Sequence, residues 1–239
     1  RLWCAEAVTA RARAARRPVS RLPSEQRVAD IMAAARTVFV VKGYDDALIS
    51  DIAERAGVVE GSIYRFFSGK RDLLVRVIEH WYEEMLADHE AQIAGVEGAR
   101  NRIRFIVHSH LRSIEREPAL SRLFLQMLRS DPDYRATRLF ELNQRYTRPI
   151  VDIVRAAIID GTFRPDSSPT LVRDMIYGCI EHHSWAFIRG EGDLDVDDTA
   201  SRITDLVCRG LDNDPVPDRS ATGSSRTAYS CFSAPSCSS

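Results

Sequence analysis

The chain has 239 residues, of which 44% are hydrophobic and 28% charged, a balance typical of a globular protein with a sizeable core. Its 33 basic and 34 acidic residues give a formal net charge of −1, so any affinity for nucleic acid must come from local placement of charge. No apolar run approaches the roughly 18 residues of a membrane span, and the five scattered cysteines contain no CxxC pair. We therefore expect a cytoplasmic protein with free thiols, no membrane contact, no metal site and no cofactor.

The N-terminal region, residues 1–23, contains six arginines and a single acidic residue. We interpret it as a basic, disordered leader; the alternative is a basic arm that reaches phosphates or a minor groove. Ser24 is a suitable N-cap for the next helix, whose inward apolar stripe runs from Val28 to Phe39. Gly43 predicts its end.

The next two predicted helices are short and are separated by a glycine. Ile49–Ala56 has apolar residues at i, i+3, i+4 and i+7, the spacing of one helix face, and Gly57 can end this helix in a left-handed conformation. In the second helix Ile63 and Phe67 point inward at i, i+4. Its other side carries Ser62, Arg65 and Phe66, with Tyr64 at the flank. This pattern predicts a helix-turn-helix whose second helix fits the major groove of B-DNA.

The segments IAERAGV, GSIYRFF and GKRDLL resemble the signature of the TetR family of transcriptional repressors, over about residues 26–75. The resemblance implies that the second short helix is a recognition helix and that Lys70 opens a long fourth helix. It implies phosphate contacts for Ser50, Tyr64 and Lys70, and base reading by Ser62 and Arg65, where Arg65 can pair with guanine. The predicted DNA-binding set is Ser50, Glu60, Gly61, Ser62, Tyr64, Arg65, Phe66 and Lys70.

Two stretches depart from the family pattern. Ala47 and Leu48 stand where Ser or Thr is usual near the start of the second helix, so we expect Asp46 to cap it instead. Val59 and Glu60 stand at the entry to the recognition helix, where Ser or Thr and a basic or neutral residue are frequent. Glu60 repels phosphates, but its carboxylate can accept from a cytosine amino group.

Beyond the fourth helix, apolar stripes predict a further series of helices over residues 97–117, 120–127, from Asp131 or Asp133 to Ile158, 170–189 and 195–211. Pro149 lies inside the longest of them and should kink it, since proline cannot donate to the preceding turn. With no strand signal, we expect an all-α protein. It divides into a three-helix DNA-binding head over 24–70, a six-helix effector-binding and dimerisation core over 71–211, and a disordered Ser- and Pro-rich tail over 212–239.

The resemblance also implies a cavity for a small, mostly apolar effector among the fourth to eighth helices. The segment MIYGCIEHHSWAF resembles the matching helix of TetR-type regulators that respond to fatty acyl thioesters, which makes such a thioester the candidate effector. The predicted pocket residues are Trp81, Phe105, His108, Leu111, Phe124, Met127, Tyr146, Ile150, Met175, Cys179, His182 and His183. The alternative for each is an ordinary place in a packed core.

One head covers only half of a DNA site, so we expect a homodimer that binds a near-palindromic operator in double-stranded DNA. The resemblance implies that the last two helices form the interface, through Ile176, Ile180, Ile203, Leu206, Val207 and Gly210; the alternative is that both helices are ordinary core of a monomer. The expected function is a repressor that a small effector releases from its operator. The alternative is a helical ligand-binding protein or enzyme in which the helix-turn-helix is only structural. No nucleophile elbow, phosphate loop or zinc-protease motif is present, so we assign no catalytic residue and predict that the protein is not an enzyme.

Overall fold

The computed structural model of the protein describes residues 24–213, and the predictions for residues 1–23 and 214–239 lie outside that range. Within it the chain forms nine α-helices, and the only β pairing is an isolated antiparallel bridge between Phe163 and Asp212. The predicted all-α fold is thus confirmed. The helices are α1 Ser24–Lys42, α2 Ile49–Ala56, α3 Glu60–Ile63, α4 Lys70–Ile93, α5 Ala99–Arg116, α6 Pro118–Leu123, α7 Arg138–Ile159, α8 Pro169–Ile188 and α9 Val196–Leu211.

The start of α2 differs from the prediction that Asp46 caps it. The N-cap residue is Leu48, and its backbone N–H donates to the Asp51 carboxylate at 3.1 Å. Asp51 also pairs with Lys42 at 2.8 Å, and these two contacts, the lysine first, hold the pKa of Asp51 below its ordinary value. The Asp51 carboxylate, in the first turn, therefore satisfies the backbone N–H of the N-cap residue, as the N3 acid of a capping box does, while Leu48 offers no side-chain acceptor.

The segment between α6 and α7 is also more complex than the single short helix predicted. α6 continues as a π-helical turn, Phe124–Leu128, and a 3₁₀ turn follows at Tyr134–Ala136. α7 begins only at Arg138, because the Thr137 hydroxyl accepts from the Phe140 N–H at 3.2 Å and so caps the helix there. α7 then runs through Pro149, and the kink predicted at that residue stays a prediction.

The buried side chains form two apolar clusters. The first joins α1–α4 to α6, the π-helical turn and the N-terminal half of α7, and the second joins α5 and the C-terminal half of α7 to α8 and α9. The first cluster therefore runs from Ile52 and Ile63 in the helix-turn-helix to Phe124 and Tyr146 deep in the core without a break. No helix between residues 24 and 213 is long and apolar enough to cross a membrane.

Candidate DNA interface and ligand pocket

The helix-turn-helix is built by α2 and α3. Gly57 ends α2 with φ of 64°, a left-handed conformation that a glycine adopts without steric cost. Ile52, Ala53 and Ile63 are almost fully buried where the two helices meet. The small side chain of Ala53 lies at this contact, so a larger residue there would push the helices apart.

The opposite side of α3 and the residues after it are open. Ser50, Glu60, Gly61, Tyr64 and Arg65 are exposed, and Tyr64 retains 56% of its accessible surface. The other three predicted DNA-binding residues, Ser62, Phe66 and Lys70, are half-buried. The Arg65 guanidinium lies 6.0 Å from the centre of the Phe66 ring, which orients it by a cation–π contact.

Lys70, the first residue of α4, has backbone partners. Its Nζ donates to the carbonyl oxygens of Tyr44, Asp45 and Ala47 at 2.8, 3.2 and 3.0 Å, and lies 4.5 Å from the Tyr44 ring centre. An ammonium has three N–H donors, and these three carbonyls accept from all of them. In this structure Lys70 therefore braces the loop between α1 and α2, and its predicted phosphate contact stays a prediction.

A pocket of about 500 Å³ lies between α4, α5, the π-helical turn, α7 and α8. Seven aromatic side chains line its walls, and charged side chains come from three different segments. The aromatic residues are Trp81, Tyr82, Phe124, Tyr134, Phe140, Tyr146 and Tyr177, and the charged residues are Arg129, Arg135, Arg173, Asp174 and Glu181. His110, Asn143 and Thr147 add neutral polar groups.

Of the twelve predicted pocket residues, Trp81, Phe124 and Tyr146 line this pocket, and nine lie elsewhere. Leu111 and Ile150 are fully buried in the second cluster, and Phe105 packs against that cluster and lies near the ring of His89. Met127 packs against the first cluster. His108 and His183 contact residues in the first turn of α9: His108 lies 3.0 Å from the Asp197 carboxylate, and His183 lies 3.3 Å from the Thr199 hydroxyl. Met175, Cys179 and His182 are exposed on the outer face of α8.

The residue that sequence reasoning missed is His110. His110 lies four residues after Ile106 and four before Ile114, which are both buried. The i, i+4 spacing along α5 therefore places His110, and not His108, on the inner face of the helix. Its Nδ1 lies 3.1 Å from the Tyr146 hydroxyl. Desolvation lowers the pKa of His110 to about 3, so the imidazole is neutral at physiological pH.

The outward faces of α8 and α9 carry exposed apolar side chains. Leu171 and Met175 on α8 and Leu206 on α9 keep 58%, 56% and 74% of their accessible surface. Of the predicted interface residues, Leu206 and Gly210 are exposed and Val207 is half-buried. Ile176, Ile180 and Ile203 are instead buried in the second cluster of their own chain, which leaves them little surface to offer a partner. The apolar face of α8 is therefore one residue away from the predicted one.

A helix-turn-helix with an open polar face, joined by a continuous core to a pocketed helical bundle, defines a class of protein: the DNA-binding transcriptional regulators. The chain belongs to the TetR family. Residues 31–77 match the model of the bacterial regulatory proteins of the tetR family, and residues 96–211 match a tetracyclin repressor-like C-terminal domain, which together account for more than half of the chain.

Individual relatives agree with this assignment. The chain is 22% identical over 183 residues to the fatty acid metabolism regulator protein of Bacillus subtilis, covering 77% of this chain and 94% of that protein. It is 22% identical over 186 residues to the transcriptional repressor KstR2 of Rhodococcus jostii, covering 76% of this chain and 89% of that one. The crystal structure of FadR from Bacillus subtilis in complex with stearoyl-CoA has the same fold, with a TM-score of 0.68, 23% identity and coverage of 76% and 98%.

Proposed function

We propose that this regulator is a homodimeric repressor that binds a near-palindromic operator and leaves it when a mostly apolar molecule fills the pocket between α4 and α8. The observation that carries this proposal is the first apolar cluster, which contains both the buried residues of the helix-turn-helix and the aromatic walls of the pocket. A ligand that reshapes those walls acts on side chains packed against the DNA-binding head. The free energy by which the ligand weakens DNA binding equals the difference between its binding free energies to the DNA-bound and the DNA-free arrangement of the helices, commonly about 1–3 kcal/mol.

For DNA recognition, we assign the major-groove contact to α3 and the turn after it. Arg65 is exposed and oriented by Phe66, so its guanidinium can pair with a guanine edge, which is worth roughly 1–3 kcal/mol of discrimination. Tyr64 and Ser50 are exposed on the same region and supply phosphate contacts, and Glu60 and Ser62 complete the edge. In this proposal most of the contacts are to phosphates and position the protein on the DNA, and one arginine, Arg65, recognises a base.

For assembly, we place the dimer interface on the outer faces of α8 and α9. Leu171 and Met175, at i and i+4 on α8, and Leu206 on α9 are large apolar side chains that residues 24–213 leave more than half exposed. Cys179 and Gly210 continue the two rows. A second copy of the same faces forms a four-helix seam with two-fold symmetry, which sets two heads on two half-sites.

For the effector, the family relatives suggest acyl thioesters. FadR of Bacillus subtilis binds stearoyl-CoA, and a pocket of about 500 Å³ falls within the range of small-molecule sites. The arginines at its edge, among them Arg135, suit the anionic part of such a ligand, while the aromatic walls suit its apolar part. The alternative in which the helix-turn-helix is only structural has less support, since the matching relatives are regulators.

The test begins with selection of bound duplexes from a random DNA pool, using the whole protein. We expect a near-palindromic consensus, and we expect Arg65→Ala to flatten the preference at one base position of each half-site. A consensus unchanged by Arg65→Ala would refute the reading role, and failure of any sequence to enrich would refute DNA recognition. Stearoyl-CoA is then titrated against the selected duplex, with release expected from the wild type.

A further inference from the structure

The pocket contains a polar pair that the proposed function does not yet use. Tyr146 is only 1% exposed, and its hydroxyl lies 3.1 Å from His110 Nδ1. His110 Nε2 forms no hydrogen bond with any residue between 24 and 213, yet it is not sealed from solvent, and His110 lines the pocket. His89, whose ring stacks on Tyr146 at 4.9 Å, differs because its own Nε2 is sealed without a partner.

The hydrogen bond between Tyr146 and His110 determines which nitrogen carries the proton. If His110 Nδ1 donated, the Tyr146 O–H would be left as a buried donor without a partner within residues 24–213, which is costly. If the Tyr146 O–H donates, Nδ1 accepts and the remaining donor is Nε2–H. This group is not sealed and belongs to a residue that lines the pocket, so water or a ligand can accept from it. The second arrangement satisfies every sealed atom of the pair.

We propose that the effector carries a hydrogen-bond acceptor, a carbonyl oxygen or its equivalent, in the part that enters the pocket, and that His110 Nε2–H donates to it. This inference rests on the proposed ligand pocket and adds the chemistry of the ligand. Tyr146 is the positioning residue, because its hydroxyl holds the histidine in the donating tautomer. Since seven aromatic side chains line the pocket, a ring-bearing ketone is a suitable small probe.

The tautomer can be measured without any ligand, by nitrogen NMR of the full-length protein labelled in histidine at neutral pH. The His110 signals are assigned by their absence in His110→Phe. We expect an unprotonated Nδ1 and a protonated Nε2, and we expect Tyr146→Phe to shift the tautomer populations toward a mixture. A protonated Nδ1 in the wild type would overturn the inference even if stearoyl-CoA releases the operator.

Ligand preference is measured with a matched pair, phenylcyclohexanone and phenylcyclohexane, which differ by the carbonyl group. The wild type should bind the ketone roughly three- to tenfold more tightly, the range of one neutral hydrogen bond. His110→Phe should bind the two compounds equally. His108→Phe is the matched control: His108 is on the same helix but contacts Asp197 outside the pocket, so the preference should persist.

Equal affinities in the wild type, binding of neither compound, or a ketone preference that survives in His110→Phe would each overturn the inference. These outcomes are distinct from failure of the proposed function. The outcomes above are measured from the affinity of the two small compounds and from the protonation of the His110 nitrogens. The proposed function fails when no operator is enriched or when a ligand in the pocket leaves operator affinity unchanged.

Discussion

Arg71, in the first turn of α4, forms an ion pair with Asp131, which follows the π-helical turn at the pocket wall. Arg71 adjoins Lys70, which donates to the loop between α1 and α2, and Asp131 is two residues from Arg129, which lines the pocket. The pair therefore connects a segment that lines the pocket to the neighbour of the residue that braces the DNA-binding head. Both side chains are partly exposed, so the pair contributes little to stability itself.

We predict that Arg71→Ala weakens communication rather than folding. Stearoyl-CoA should weaken operator binding less in the variant than in the wild type, which corresponds to a coupling free energy smaller by about 0.5–2 kcal/mol. The midpoint of thermal unfolding should change little. The measurement is operator binding by fluorescence anisotropy at several ligand concentrations. Arg76→Ala is the control, because Arg76 pairs with Asp72 within α4 and lies 5.6 Å from the centre of the Phe67 ring, so its removal disturbs the head but leaves the Arg71–Asp131 pair in place. Equal loss of coupling in both variants would contradict this role for Arg71.

A second prediction concerns Lys70→Met. Because Lys70 Nζ donates to three carbonyls of the α1–α2 loop, we expect affinity to fall for all duplexes alike through loss of head rigidity. The slope of log affinity against log salt should stay the same. A lost phosphate contact would instead reduce that slope by roughly 0.9. Salt titration of the wild type and the variant on one duplex therefore separates bracing from the phosphate contact that the family resemblance implies.

A third prediction concerns pH. The pKa of His110 is lowered from 6.5 to about 3 by desolvation, so between these values the unfolded chain binds a proton that the folded chain does not. The free energy of unfolding should therefore fall as pH decreases from about 6.5, and the desolvated His89 acts in the same direction. Urea unfolding at pH values between about 7.5 and 5.5, above the range where most carboxylates titrate, measures this loss.

His110→Phe should make that pH dependence shallower, whatever it does to stability at neutral pH. His80→Gln is the control for the loss of an exposed histidine, since the His80 side chain is 59% exposed. If both variants kept the wild-type slope, His110 would not be the group that titrates on unfolding.

A fourth prediction concerns assembly. Met175→Arg or Leu206→Arg places a charge in the proposed α8–α9 seam, where it has no partner, so we expect dissociation to a species of one chain mass, 26.9 kDa. Sedimentation equilibrium at micromolar concentration measures the mass. Val41→Arg is the matched control, since Val41 on α1 is 75% exposed but lies away from these helices. A wild type that sediments as one chain would refute the seam.

Helix α8 shows why periodicity predicted the helix but not its surfaces. Three neighbouring rows at i, i+4 run along it: Val172, Ile176 and Ile180 are buried in the core, Arg173, Tyr177 and Glu181 line the pocket, and Leu171, Met175 and Cys179 face outward. All three rows contain apolar residues, and adjacent rows are about 100° apart on the helix. The sequence prediction placed Met175 in the pocket set and Ile176 in the interface set, whereas in the structure Met175 is exposed and Ile176 is buried in the core.

The helix-turn-helix, the all-α class and the family were predictable from the amino-acid sequence, because they depend on local chemistry: the left-handed glycine at Gly57, the inward pair Ile63 and Phe67, and apolar spacing along single helices. Which side of each helix meets the pocket, the core or the outside became clear only from the packing of the helices. This packing also gave Lys70 three carbonyl partners and brought His110 to Tyr146, 36 residues along the chain. The physical reason is that burial depends on what lies opposite a side chain, and that neighbour comes from a distant part of the chain.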